Sequence, residues 1–317
     1  VKIVTLGGGT GQAQVLRGLA ALGADVTAIV GVTDNGGHSG HLRKQLGIPA
    51  VGDLRGCIAA LSDSRSGFGR ALRFRFGEGK LKGASLGNLI LAGLTGSEGS
   101  LTSAAFKVAT LAKTRGRVLP VSEGVSQISA ALADGRTVRG EWEIIRRKPR
   151  TPIARLFLEP PIRATPAALQ AIRQADAVVL GPGSLRTALV SILLVRGIRE
   201  ALRRKPVFFV LNILTQAGQT DGFSAQDHVA EVERYLGKKP IVLANTKPPP
   251  AWALQGAGLV ASDGIDAVRG DLLEPVKRSD LARRARPAEF VAGPHLVRHD
   301  PAKVARAILR TARPDSR

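Results

Sequence analysis

Three clusters of small and polar residues in this chain have the makings of ligand chemistry. The first, Leu6-Gly7-Gly8-Gly9-Thr10-Gly11, follows an apolar run from Val1 and leads into a helical pattern with Val15, Leu16, Leu19 and Leu22 on one face. That is the pattern of a tight strand-to-helix turn. Without Cβ atoms a ligand can approach the backbone closely, and the unpaired N–H groups and positive dipole end of a helix's first turn favour a phosphate. The dinucleotide fingerprint would place its third glycine where this chain has Gln12, so the match is partial, and a simple tight turn leaves the same trace.

The second cluster begins at Asp34, roughly 20 residues beyond the glycines, where a βαβ unit carries a ribose-binding carboxylate. It continues Asn35-Gly36-Gly37-His38-Ser39-Gly40-His41-Leu42-Arg43, read as a loop of glycines among groups that donate hydrogen bonds, titrate or hold a metal. A solvated surface loop is the plainer reading. The third cluster, Gly181-Pro182-Gly183-Ser184-Leu185-Arg186-Thr187, is another glycine turn into a helix, with Arg186 placed to pair with an anion gathered there.

These clusters need elements to position them. Ala24 to Thr33, Arg117 to Val121, Ala177 to Leu180, Val207 to Leu211 and Ile241 to Ala244 read as strands, and the helical patterns between them make a βα alternation. Gly52-Asp53-Leu54-Arg55 opens a helix to Leu61 with Asp53 as its cap or as a solvated charge. The span Arg65 to Lys82 reads as a connection, and Ser85-Leu86-Gly87-Asn88 leads into another helix. Val125 to Ala133 and Thr137 to Ile145, turned by Asp134-Gly135, read as a hairpin with a two-residue turn, which Ile153 to Leu158 extends. Ser224 caps a helix with Asp227 and His228 in its first turn, and Asp300 caps a last helix from Pro301. Strand ends rich in Gly, Asn and Asp, including Asn212, fall on one edge of a parallel sheet and form a single cleft. The fold expected is a three-layer α/β/α, Rossmann-like, mainly parallel sheet with a β-hairpin insertion at about 117–158, as a single domain over residues 1–317.

Composition narrows the function classes. The net charge of +21 over 317 residues invites a nucleic-acid reading. However, the basic residues are scattered, with short clusters at Arg146-Arg147-Lys148, Arg203-Arg204-Lys205 and Arg283-Arg284-Ala285-Arg286, and aromatics are few. No specific nucleic-acid partner is expected. No apolar run approaches the ~20 residues of a bilayer span. Cys57 is the only cysteine, which excludes an internal disulfide and a cysteine-cluster zinc site. A core-type strand at the N-terminus in place of a leader adds to the expectation of a cytoplasmic protein.

Lys2 to Asp53 resembles the YvcK-type gluconeogenesis factors, which group with the CofD 2-phospho-L-lactate transferases. The likeness continues in order through Ser85-Leu86-Gly87-Asn88, Gly181-Pro182-Gly183-Ser184, Asn212 to Asp227-His228, and Arg298-His299-Asp300. It implies a cytoplasmic bacterial protein acting in carbon metabolism and cell shape that binds UDP-sugars, notably UDP-N-acetylglucosamine, with no cofactor required. The CofD relatives are magnesium-assisted enzymes that transfer a phospholactyl group from a nucleotide diphosphate donor to a deazaflavin. YvcK-type loops read Asp-Asp-Gly-Gly-Ser-Ser-Gly, whereas this chain has Asn35 and His38 at the second and fifth positions. An amide in place of a carboxylate removes an oxygen that magnesium prefers, which weakens a metal-dependent transfer.

On this basis nucleotide-sugar binding is assigned to Gly8, Gly9, Thr10 and Gly11; Asp34, Asn35, Gly36, Gly37, Ser39 and Arg43; Asp53 and Asn88; Gly181, Pro182, Gly183 and Ser184; and Asn212, Asp227, His228 and Arg298. The two glycine turns hold the pyrophosphate, Asp34 or Asn212 the ribose or sugar hydroxyls, and Arg298 a phosphate charge. No residue is assigned as catalytic or as a metal ligand. The alternative is a CofD-type transferase with magnesium near Asp34, aided by Arg43 or Arg55. A nicotinamide dehydrogenase is a third class, disfavoured by Gln12 and by the lack of a catalytic pair. A homodimer is the base-rate expectation.

Overall fold

A computed structural model describes residues 1–63, 65–280 and 296–312; the basic run at 283–286 lies outside them. β1 (Lys2–Gly7), β2 (Asp25–Val30), β3 (Arg117–Pro120), β7 (Ala177–Leu180), β8 (Val207–Val210), β9 (Ile241–Asn245) and β10 (Val268–Gly270) form one seven-stranded sheet in the order β10-β9-β8-β7-β1-β2-β3. Every pairing in it is parallel. Near-continuous apolar runs such as Val207-Phe208-Phe209-Val210 are buried along their whole length, as strands covered on both faces require.

The chain leaves β1 toward β2 and β3, then returns to β7 on the other side of β1 and proceeds outward to β10. Right-handed crossovers in opposite directions place helices on opposite faces of the sheet. α1 (Gly9–Ala21), α3 (Gly52–Leu61) and the last helix, α12 (Pro301–Thr311), pack together. α1 and α12 meet at Gly18, where a Cβ would strike the Pro301 carbonyl. α8 (Pro166–Gln174), α10 (Ile198–Leu202) and α11 (Ala225–Leu236) form the second helical layer, joined by the short α9 (Ser191–Leu193). The direction reversal between β1 and β7 makes a switch point. In open α/β sheets that crevice, at the carboxyl ends of the strands, is where ligands sit.

On the α1 side the chain also forms α2 (Gly37–Leu46), α4 (Gly67–Arg73), α5 (Leu86–Glu98) and α6 (Leu101–Leu111). Two expectations change here. His38, Ser39 and Leu42 belong to the helix α2 and not to an open loop, because Gly36 and Gly37 end the extended segment and Gly47 terminates the helix in the left-handed conformation. The span from Arg65 contains α4, capped by Ser66 accepting from the Gly69 N–H at 2.9 Å.

The insertion is a three-stranded antiparallel sheet of β4 (Gln127–Leu132), β5 (Thr137–Arg139) and β6 (Ile153–Glu159), ordered β5-β4-β6. The Leu132 N–H donates to the Arg136 carbonyl and the Gly135 N–H to that of Leu132. With Gly135 at φ +85, the turn is a three-residue loop with left-handed glycine, not the expected two-residue type. The strand expected to reach Ile145 stops at Arg139. Gly140, at φ +100, turns the chain into α7 (Glu141–Arg146), whose first turn carries Glu141 and Glu143. Carboxylates there are favoured by the helix dipole.

Candidate functional site

The loops after β1 and β7 pack directly on each other. A Cβ added to Gly11 would land on the Pro182 carbonyl, and one added to Gly183 would come 3.6 Å from the Gly8 carbonyl. Gly9 and Gly181 take left-handed backbone conformations, φ +64 and +72, which glycine tolerates without strain. Gly8 caps α1 with no side-chain hydrogen bond, and no acidic residue lies in that helix's first turn. The departure at Gln12 has a structural cause. Its buried amide nitrogen donates to the Thr5 carbonyl at 3.1 Å, the Thr5 hydroxyl at 3.0 Å and the Ile29 carbonyl at 3.1 Å. The Cys57 thiol, which burial holds in its neutral form, donates to the Gln12 side-chain oxygen. Gln12 thereby ties β1, β2 and α3 beneath the loop.

The start of the second helical segment, a π-helical stretch Leu185–Val190, is partly filled by the protein itself. The Leu185 N–H donates to the Gln216 side-chain oxygen at 3.1 Å and the Thr187 N–H to that of Gln219 at 3.2 Å. Asn212 donates to the Gly183 carbonyl at 2.9 Å, while its own Oδ1 is buried without a partner. Ser184 makes no capping bond. Arg186 departs from expectation: it is buried, paired with Glu231 at 2.7 Å and donating to the Gln219 carbonyl. A guanidinium so deeply placed needs that counter-ion, so it is not held out to a ligand.

Carboxylates collect across the cleft. Asp34 accepts from the Gly36 N–H at 2.7 Å, and burial raises its pKa against the opposing pull of that bond and of Arg43. Arg43 itself donates to the Thr33 carbonyl, and Ser39 accepts from the Gly52 N–H at 3.1 Å, joining α2 to α3. Gly37 takes a left-handed conformation where α2 begins. Asp53 is the second residue of α3, not its cap, which is Val51; its carboxylate lies against the Gly8 backbone, where a Cβ would strike it. Opposite them Glu141, from the insertion, accepts from the Thr187 hydroxyl at 2.7 Å. Enclosure by protein, with Asp34 and Asp53 adding repulsion, pushes the Glu141 carboxyl up to about 8. Among the described residues no three His, Cys, Asp or Glu side chains are grouped so as to hold a metal ion.

Asn35 is engaged elsewhere. Its Nδ2 donates to Glu143 at 2.8 Å and its Oδ1 accepts from the Trp142 N–H at 3.0 Å, so it anchors α7 to the loop. An aspartate could make only the second bond and would set two carboxylates face to face. Asn35→Asp is therefore expected to lower stability at neutral pH by about 1 kcal/mol, and Glu143→Gln in the same chain should restore it. Urea midpoints check this; an unchanged midpoint in the single variant refutes it.

Asp227 and His228 also serve structure. Asp227 completes a reciprocal capping box with Ser224 at the start of α11, satisfying two otherwise orphaned donors. His228 is buried edge-on to Phe223, with Nδ1 2.8 Å from the Ser224 carbonyl. Burial lowers its pKa. Arg298 sits before α12, its carbonyl accepting from the Glu274 N–H. The next residue, buried His299, hydrogen-bonds the Leu211 backbone, which brings this segment to the end of β8 beside Asn212. Asn88 is buried and accepts from Arg55 Nε at 3.3 Å, linking the motifs at Gly52 and Ser85. The residues that sequence reasoning missed are Glu141, Thr187, Gln216 and Gln219. Glu141 was hidden inside an apparent strand, and no local pattern marks its arrival at the cleft. A concavity lined by Lys2, Asp25, Arg117 and Gln174 lies at the opposite edge of the sheet and gathers none of these groups.

A parallel sheet with two glycine loops meeting at its switch point defines a three-layer, Rossmann-like α/β/α protein. The chain belongs to the CofD family, whose model, described as 2-phospho-L-lactate transferase CofD, matches residues 3–285. It is 39% identical to the "Putative gluconeogenesis factor" of Thermotoga maritima over 99% of this chain and 100% of that protein. It is 41% identical to the "Gluconeogenesis factor" of Bacillus subtilis over 74% of this chain and 75% of that one. A crystal structure of a UPF0052 family member from Bacillus halodurans superposes with a TM-score of 0.86 at 33% identity, covering 97% of this chain and 98% of the other. No helix among the described residues is long and apolar enough to cross a membrane.

Proposed function

We propose that this protein is a cytoplasmic nucleotide-sugar-binding regulator of the gluconeogenesis-factor type, with UDP-N-acetylglucosamine as its ligand and a role in carbon metabolism and cell shape. The observation that carries the reading is the packing of Gly11 against Pro182, which joins the two glycine loops at the switch point. A diphosphate there would meet the start of α1, whose N-cap glycine has no side chain to make the capping bond, with the Asp53 carboxylate as its neighbour at Gly8. Asn212, with Oδ1 buried and unpartnered, and the carboxyls of Asp34 and Glu141 would accept hydrogen bonds from ribose or sugar hydroxyls. Arg298 would stand at the phosphate end of the β8 edge, and a homodimer is part of the same proposal.

Thermal unfolding tests the reading. UDP-N-acetylglucosamine at ~100 times its dissociation constant should add about 2.7 kcal/mol of stability, seen as a rise of several degrees in the melting temperature. The same concentration of N-acetylglucosamine alone should give no rise. An unchanged melting temperature with UDP-sugars at millimolar concentration would overturn it.

A second reading has one observation in its favour, the carboxylates of Asp34 and Asp53, which both act on Glu141, with Asp53 lying against the first glycine loop at Gly8. In a CofD-type transferase those two residues would hold magnesium, which supplies Lewis-acid charge to a phosphoryl group. Asn35, committed to Glu143 and Trp142, would not. Product formation from an activated phospholactate donor and a deazaflavin, above a control without protein, decides this reading.

A further inference from the structure

We propose a second oxyanion subsite in this protein, apart from the glycine loops, formed by Arg55, Arg75, Ser85 and His38 at the N-terminus of α5. It rests on the ligand cleft proposed above only for its neighbourhood. Arg75 and Ser85 are directly opposed in an isolated antiparallel bridge, so their side chains stand on the same face. The flanking bonds, Leu86 N–H to the Phe74 carbonyl and Phe76 N–H to that of Ala84, leave these two residues as a close pair. Ser85 is the N-cap residue of α5, a helix of 13 residues, yet its hydroxyl makes no capping bond. Only 1% of the residue is exposed, and its Oγ has no partner. A buried, unpartnered hydroxyl at a helix N-terminus asks for a ligand atom.

The charges around it point to the sign of that ligand. Arg55 is fixed through Nε to Asn88 at 3.3 Å, and its stem packs where a Cβ on Gly87 would sit. Burial lowers its pKa, and Arg75 and Arg73 repel it while Asp53 attracts it. Arg75, exposed, spends one N–H on the Gly83 carbonyl at 2.9 Å. His38 lies on α2, which packs against α5, and its buried Nδ1 has no partner; the His38 and His41 ring centroids lie 6.2 Å apart. The Arg55 and Arg75 guanidiniums repel one another, an arrangement an anion relieves, and guanidinium forks match a phosphate or carboxylate. The ligand class is a phosphate or carboxylate, carried at the far end of the nucleotide-sugar ligand or by a separate molecule.

The test uses inorganic phosphate as probe, on the intact protein held in saturating UDP, with the imidazole proton of His38 followed by NMR as pH is varied. Phosphate should raise the His38 midpoint by at least half a unit in wild type, and Arg75→Gln, at an exposed position, should weaken phosphate binding at least tenfold at this site. Ser85→Ala gives a second variant that removes the hydroxyl and keeps the charges; a loss of about threefold or more is expected. If phosphate leaves the His38 midpoint unchanged, or both variants bind it at this site like wild type, the subsite does not exist. UDP-glucuronate against UDP-glucose separates the sources. A preference for the carboxylated sugar that Arg75→Gln abolishes places the anion on the same ligand, whereas phosphate binding undiminished beside UDP-glucose places it on another molecule. Phosphate-dependent movement of His38 in a protein that binds no UDP-sugar would sink the nucleotide-sugar reading and leave this subsite standing.

Discussion

Glu141→Gln should make the protein more stable at pH 9 than the wild type, by about 3–5 kcal/mol, while the two differ little near pH 4.5. The reason lies in three carboxyls placed around one cleft. Burial together with Asp34 and Asp53 lifts the Glu141 carboxyl to about 8, far above its usual range. Between the ordinary glutamate pKa and that value the folded protein holds a proton that the unfolded chain has released. Stability therefore falls as pH rises through this window, and the full penalty is present above about 8. A glutamine cannot ionise, yet its carbonyl oxygen can still accept the Thr187 hydroxyl proton that Glu141 now takes at 2.7 Å. It also relieves Asp34, whose pKa burial has raised. Denaturant titrations at a series of pH values read the effect directly. Parallel stability profiles for the two proteins would mean that Glu141 is ionised in the folded state and that the cleft is not the enclosed acidic environment described.

Gly11→Ala is expected to cost about 2–4 kcal/mol and to abolish binding of UDP-N-acetylglucosamine. Alanine is intrinsically better in a helix by about 1 kcal/mol, and Gly11 carries no left-handed backbone, so conformation alone would make the change favourable. Space decides the sign. The new methyl would fall on the Pro182 carbonyl and within 3.2 Å of the Gly183 nitrogen, and backbone cannot swing aside as a flexible side chain would. The two glycine loops must then part. Gly93→Ala is the internal comparison: it lies in α5 with nothing within 4 Å of an added Cβ, and it should raise stability by about 0.5–1 kcal/mol. Equal stabilisation by both substitutions would show that the loops are not in contact at Gly11.

The sequence carries the architecture because strand and helix periods are local. Apolar runs such as Val207 to Leu211 and the glycine turns after β1 and β7 mark where a buried parallel sheet ends and a helix begins, and the switch point follows from their order. The site is less legible, since its pairings span the chain. Nothing near Asn35 announces Glu143, 108 residues on, and nothing near Arg186 announces Glu231, 45 residues on. A basic residue beside a glycine turn looks the same whether it awaits a phosphate or a buried carboxylate. Asp227 and His228 follow a serine at a helix start, a spacing shared by ligand sites and by capping boxes; the reciprocal bonds to Ser224 decide for the cap. The insertion misled for a related reason. Thr137 to Ile145 alternates as a strand should, but Gly140 ends it and Asn35, from a distant loop, supplies the partner for the helix that follows.

The most direct test of the account is a crystal structure of the protein grown with UDP-N-acetylglucosamine. Density for the diphosphate against the joined loops, over Gly8–Gly9 and Gly183–Ser184, with a sugar hydroxyl donating to Asn212 Oδ1, is the result expected. A nucleotide bound anywhere other than the crevice between β1 and β7, with these two loops still closed on each other and empty, would contradict it.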